Sequence, residues 1–293
     1  KFILSYCDRA LGITSAEEQS VLPKGNNLSL HLLELFTSRV AKVGMTDGIR
    51  QVLQEESDAL RAYYEQAGIL IARPAGETSC RLAISAKGGT NAENHNHNDV
   101  GSYAVALGSE TMVGDQGGPN SYPGDYFNGD APQKYKIKGS FGHPVPVVDG
   151  RTQSSGGKAK GVVLQKEFTN EKDVFSIDYT SAYSTPNLDK LIRTFVYDRQ
   201  GEGNFTVGDE FTAKTPIRFE TAITTRADWK ILDDTHLLLA TDSEQMIVGI
   251  EASGKVAFTS ETIEVNSPAY TRIGIALKNQ SKEGYIRLKM YTK

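Results

Sequence analysis

The spacing of hydrophobic and polar positions changes part-way along the chain. In LSLHLLELFTSRVAKVG, residues 28–44, the leucines and Phe36 recur at mixed three- and four-residue intervals, the pattern of an amphipathic helix. The loop VLPKGNN precedes it, with Asn27 or Ser29 placed to cap. DGIRQVLQEESDALRAYYEQAG repeats the helical pattern and closes on Gly68, a stop signal. Residues 1–66 are therefore predicted to be a helical segment. Beyond it the period shortens. GILIAR, CRLAISA, VGSYAVAL, ETMVGD, VPVV, GVVLQKEF, DVFSIDYT, LIRTFVYD, IRFETAITT, HLLLATD, QMIVGIEA and TRIGIAL are short β-rich runs punctuated by Gly, Asn, Asp and Pro. No long helix separates them, so residues 67–293 are predicted to form a mainly β domain, a large antiparallel sandwich. No internal repeat or low-complexity tract is present. The longest irregular stretch is DQGGPNSYPGDYFNGDAPQ, residues 115–133, and a loop of that length in a compact domain is usually functional or mobile.

Composition narrows the classes. The 293 residues suffice for one large domain or two ordinary ones, and 39% hydrophobic residues suit a globular core. Lys and Arg number 32 against 36 Asp and Glu, a net charge of −4. That balance excludes a general nucleic-acid binder, while a local basic cleft for an acidic ligand stays open. Cys7 and Cys80 form neither a disulfide framework nor a zinc knuckle, and two unpaired thiols are expected. No apolar run approaches the ~20 residues that span a bilayer, so no membrane partner is expected. The start, KFILSYCDRALG, soon meets Asp8 and Arg9 and does not read as a signal peptide. Beginning at Lys1, the sequence reads as a processed chain or an excised fragment, and the missing signal leaves the compartment open.

The chemistry gathers in NAENHNHNDVGSY, residues 91–103, which holds His95 and His97 among Asn94, Asn96, Asn98 and Asp99. Such groups cost free energy if buried without partners. In an extended segment the two rings share a face, about 7 Å apart at Cα. Asp115 ends the next apolar run, and a hairpin would bring it beside His97. His143, in GSFGHPVPVVDG, precedes another apolar run. Two imidazoles and a carboxylate suit Zn²⁺, with water in the fourth position. Blander readings stand beside this one: loop histidines that only hydrogen-bond, Asp115 as a turn residue before Gly117 and Gly118, and His143 on a loop surface.

HNHNDVGSYAVAL, followed by VGDQGG and FGHPVPVVDG, resembles the C-terminal β-domain of the heparinase II/III-like polysaccharide lyases. That family couples an incomplete α/α toroid to an antiparallel β-sandwich. The resemblance is strongest from Tyr64 to Gly150 and is one of texture beyond residue 160. It implies that residues 1–66 are the end of the toroid and that most of the toroid is absent. It also implies that His95 is the catalytic histidine and that His97, Asp115 and His143 hold a structural divalent metal, Zn²⁺ by the type of its ligands. The implied reaction is β-elimination on a uronate-containing polysaccharide by a secreted or periplasmic enzyme. An unperturbed imidazole titrates near pH 6.5, which lets His95 act as a base at neutral pH. The toroid's acid, base and charge-neutralising groups have no match in residues 1–66; Tyr6, Tyr63 and Tyr64 sit in no recognisable motif. The chain alone is therefore expected to be inactive or nearly so.

Two features bear on an acidic polysaccharide. KYKIKG sets Lys134, Lys136 and Lys138 at alternate positions, which in an extended segment makes a basic stripe or a lysine-protected edge strand. Tyr122 and Tyr126, in the glycine-rich loop, are placed either to stack on sugar rings or to anchor the loop. The rival readings are a non-catalytic carbohydrate-binding or structural sandwich, which needs no base at His95, and a cupin-type barrel, whose Glu-containing motif HNHND fits poorly. Glycan identity and oligomeric state are not encoded in any motif.

Overall fold

The alternation of buried and exposed residues that marks the strands of this computed structural model runs through residues 60–293, which are described here except for Glu77, Asn94, His95, 115–117, Asn120 and Asn266. They belong to one compact unit, Asp58–Lys293. Strands β1 (Arg61–Tyr64), β2 (Ile69–Ala72), β3 (Leu82–Lys87), β5 (Tyr103–Leu107) and β6 (Glu110–Val113) make a five-stranded sheet in the order β1-β2-β3-β5-β6. A nine-stranded sheet has the order β13-β14-β15-β18-β11-β10-β9-β8-β4. Its members are β4 (Gly89–Asn91), β8 (Gly156–Phe168), β9 (Lys172–Asp178), β10 (Leu188–Asp198), β11 (Asn204–Ile217), β13 (Asp228–Asp233), β14 (His236–Ala240), β15 (Gln245–Ala252) and β18 (Ser281–Thr292). The third sheet, β16-β17-β12-β7, is built from β7 (Val147–Val148), β12 (Phe219–Thr225), β16 (Val256–Val265) and β17 (Ser267–Leu277). Neighbouring strands pair antiparallel throughout. The mainly β, antiparallel architecture is the one the sequence predicts.

Parity along the strands explains the layering. In β3 and β5 every second residue is buried, and Leu82, Ile84, Tyr103 and Val105 face Phe175, Phe195 and Phe205 of the nine-stranded sheet within one apolar core. Tyr103 meets Phe195 and Phe205 with ring centroids 6.1 and 5.9 Å apart. Phe211 of β11 stacks on Phe219 of β12 at 4.7 Å. The five- and four-stranded sheets are stitched edge to edge: the Gly114 N–H donates to the Thr224 carbonyl, and the Thr224 hydroxyl donates back to Gly114 O at 2.6 Å. One layer is thus the large sheet and the other is the two smaller sheets joined, the arrangement of a sandwich.

One expectation changes. The helical reading of residues 1–66 lies mostly outside the described residues, but its end is overturned: Arg61–Tyr64 is β1, paired with β2 in the register Arg61↔Ala72 to Tyr64↔Ile69. Local helical periodicity is overridden there by tertiary contacts. Tyr63 packs edge-on against Phe175, and the Arg61 Nε donates to buried Asp173 at 2.8 Å. The β unit accordingly starts before residue 67. Cys80 is a free, buried thiol; Cys7 lies outside the described residues. No helix among the described residues is long and apolar enough to cross a membrane.

Candidate functional site

The loop from β4 to β5 carries NAENHNHNDVGS, and its amides turn out to be its scaffold. The Asn91 side chain donates to Gln153 Oε1 and to the Ser154 carbonyl, both at 2.9 Å, and accepts from the Asp99 N–H at 3.0 Å. Gln153 clasps Val100 on both sides, accepting from its N–H at 3.1 Å and donating to its carbonyl at 2.7 Å. Asn98 donates to Ser155 Oγ at 3.0 Å, and its N–H bonds the Lys138 carbonyl at 3.0 Å. Asp99 is buried and salt-bridged to Lys87 at 2.5 Å. Each buried polar group of this set has a partner, as the cost of desolvation demands. Asp99 therefore holds the loop, and the histidines remain as the loop's chemical groups.

Of the predicted ligands, His97 and His143 come together. Their ring centroids are 5.1 Å apart at an interplanar angle of 55°. His143 is wholly buried, which overturns the reading of it as loop surface. It follows the 3-10 turn Ser140–Gly142, and that turn is pinned by the Tyr270 hydroxyl donating to Gly142 O at 2.9 Å. The Tyr126 hydroxyl lies 3.3 Å from His97 Nε2. His95 and Asp115 lie outside the described residues. The β5–β6 hairpin sets Val113 opposite Val105. Among the described residues, no three His, Cys, Asp or Glu side chains converge as a metal set.

The lysine stripe does not form. Lys134 ends a short helix, α1 (Ala131–Lys134), whose first turn holds Pro132, a residue suited to helix starts. Lys134 pairs with Asp125, and Lys136 with Glu261. The hydrogen bonds from Lys134 and then Tyr135 hold the Asp125 carboxyl below its ordinary pKa. Lys138 turns inward instead. It is buried, donates to the Tyr126 carbonyl at 2.5 Å, and sits 4.9 and 5.1 Å from the Tyr126 and Phe127 ring centroids. Burial pushes its ammonium below the ordinary lysine pKa. Tyr126 is buried and Tyr122 is 56% exposed; the two rings meet at 5.0 Å. Tyr126 is thus a loop anchor that reaches His97, while Tyr122 and Phe127 are exposed at the surface.

Beside the histidines lies a polar cleft of about 260 Å³ lined by Asn91, Asn96, Asn98, Phe127, Asn128 and Lys138, among others. A larger groove of about 600 Å³ crosses the nine-stranded sheet near His236, Arg287 and Tyr291. None of the histidine-loop residues lines it, and His236 pairs with Asp233 while Arg287 pairs with Glu210 and Glu251. The smaller cleft is the one with chemistry beside it.

Solved structures carry this architecture. A heparinase III structure matches with a TM-score of 0.62 at 18% identity, covering 79% of this chain and 36% of that one. The heparan sulfate lyase HepC from Pedobacter heparinus matches with a TM-score of 0.68 at 14% identity, covering 89% of this chain and 42% of that one. The chain shares the fold of part of heparinase III. It spans about two fifths of these structures, and the heparinase III BT4657 gene product gives the same picture, with a TM-score of 0.67 at 11% identity over 90% of this chain and 42% of that one. No protein-family profile and no curated protein sequence matches the chain. In this heparinase III-like fold the sequence pointed to the histidines and put Lys138 in a stripe with Lys134 and Lys136, but it did not single out Gln153 or Arg193. For Arg193 a signal existed: it shares strand parity with Leu191, Phe195 and Tyr197, so a cation stands on the apolar face.

Proposed function

We propose that the chain is the sandwich portion of a secreted or periplasmic heparinase II/III-like polysaccharide lyase that cleaves uronate-containing polysaccharide by β-elimination. The observation that carries this reading is the meeting of His97 and His143 from separate loops, with rings 5.1 Å apart, beside an amide-lined cleft on a heparinase III-like fold. The donor set fits a divalent metal of the Zn²⁺ type: two imidazoles here, with Asp115 as the carboxylate the resemblance supplies. The Tyr126 hydroxyl beside Nε2 is the kind of outer partner that orients a ligating imidazole. Such an ion would tie the loops together and add to folding free energy.

In the proposed reaction the uronate carboxylate acidifies the C5 proton, His95 removes it, and the C4–O bond breaks as the leaving oxygen is protonated. The amides that line the cleft hold the sugar. Charge neutralisation and the remaining proton transfer are assigned to the rest of the longer protein. The test compares the full-length parent and this chain on heparan, chondroitin, hyaluronan and alginate, following the ultraviolet absorbance of the unsaturated uronate. The parent is expected to generate that chromophore and the chain alone to lack nearly all activity. Reducing ends without the chromophore mean a hydrolase and overturn the mechanism. Binding of a uronate polymer by an inactive parent favours a carbohydrate-binding sandwich.

A further inference from the structure

Between the two histidine loops and the large sheet stands one side chain that neither loop contains. Arg193 projects from β10 into the core and is fully buried. Its Nε and Nη2 donate to the two oxygens of buried Asp209 at 2.7 and 2.6 Å. Nη2 also donates to Thr221 Oγ1 at 3.1 Å. Nη1 spends both its hydrogens on main-chain carbonyls, Gly101 O and Pro144 O, each at 2.7 Å. All five guanidinium donors are thus used. Asp209 is held in turn by the hydroxyls of Tyr179 at 2.6 Å and Thr221 at 2.7 Å.

The two carbonyls are the point. Gly101 closes the loop that carries His97, and Pro144 directly follows His143. Gly101 has φ +86, and a Cβ there would stand 3.3 Å from the Tyr179 ring, so glycine lets its carbonyl approach the guanidinium. A single nitrogen therefore fixes the roots of both loops relative to each other. We propose that Arg193, braced by Asp209, is a positioning residue that sets the separation of His97 and His143. Ordinary core stability requires acceptors for both Nη1 hydrogens, but not that they come from the roots of two separate loops of the opposite layer. Lysine keeps the charge but lacks the planar fork, so it cannot hold the carboxylate and both carbonyls together. The consequence for metal affinity rests on the ligand reading above; the positioning itself does not.

The test uses Arg193→Lys and, as a milder variant, Tyr179→Phe, which removes only one brace on Asp209. Asp173→Asn is the control: it breaks another buried ion-pair cluster, Asp173 with Arg61 and Arg199, which bonds neither loop. Imidazole proton resonances are recorded on metal-stripped protein, and Zn²⁺ affinity is measured by chelator competition. Arg193→Lys is expected to move the His97 and His143 resonances and leave His236 in place, and to weaken Zn²⁺ about tenfold or more. Tyr179→Phe should move the same two resonances less, which keeps the test valid if the lysine variant does not fold. Asp173→Asn should lower the melting temperature while leaving the two resonances and the affinity alone. Unmoved resonances in Tyr179→Phe and Arg193→Lys, or equal shifts in the control, overturn the proposal. Shifted resonances in a protein whose wild type binds no Zn²⁺ uphold the positioning role and overturn the metal reading instead.

Discussion

Replacing Tyr126 by Phe isolates one oxygen atom at the candidate site. The ring stays, and with it the contacts to Tyr122 at 5.0 Å, to Phe127 and Tyr135 at 5.4 Å, and the Lys138 ammonium at 4.9 Å. What goes is the hydroxyl 3.3 Å from His97 Nε2. A hydrogen bond of this kind contributes about 0.5–1.5 kcal/mol net, and its length places it in the lower half of that range. Fold stability of the metal-free protein should therefore fall by no more than about 1 kcal/mol. Metal affinity should respond more, because outer partners of ligating histidines are worth roughly 10–100-fold. The long contact argues for the lower end, about tenfold, which is about 1.4 kcal/mol. The assay is Zn²⁺ competition against a chromophoric chelator at neutral pH, with thermal unfolding of the stripped protein in parallel. Tyr126→Ala is no substitute: removing a buried ring costs about 3–5 kcal/mol by itself. A Tyr126→Phe protein with Zn²⁺ affinity within twofold of wild type would refute the reasoning that the hydroxyl orients His97.

Three further outcomes are expected. Asp173→Asn leaves the buried Arg199 charge without its carboxylate, a loss of about 3–5 kcal/mol, read by chemical denaturation; a loss under about 1 kcal/mol contradicts it. The Asp233 carboxyl is held down to about 2 by the Thr235 N–H first and His236 next. Because the folded pKa is depressed, this turn's stabilisation is complete above about pH 4 and lost as pH falls through about 2; the Thr235 amide resonance should titrate near that lower value, and a midpoint at an ordinary aspartate pKa rules the contact out. Lys134 and Lys136 are matched by Asp125 and Glu261 at the surface, so the double alanine variant of the parent should bind a uronate polymer within about twofold of wild type and melt at an unchanged temperature; a large drop in binding restores the basic stripe.

Strand parity was legible where apolar residues alternate without interruption. LAISAK and YAVAL alternate cleanly and became β3 and β5. Other strands with the same alternation escaped notice: β11 buries Phe205, Val207 and Phe211, and β18 buries Ile286, Leu288 and Met290, but charged and glycine residues interrupt their apolar character. β1 was misread because RAYY continues a helical spacing, and only the distant Asp173 and Phe175 reveal its partner. At the site, the histidines were legible as residue types. The inward turn of Lys138 was not, since alternation in KYKIKG carries no strand information once Pro132 starts a helix turn. The pairing of the two histidine loops depends on Arg193 and Asp209 on later strands, which no local pattern ties to them.

That dependence has a consequence for the order of folding. The guanidinium reaches back 92 residues to Gly101 and 49 residues to Pro144, and its bracing carboxylate lies on the following strand. During synthesis both loops emerge well before the β10–β11 hairpin that templates them. Closing such long stretches of chain comes late and slowly, because the entropy of closure must be met before the contacts form. The histidine pair is therefore expected to set late in folding, and a nascent chain stopped short of Asp209 would hold both histidines without the carboxylate that braces Arg193.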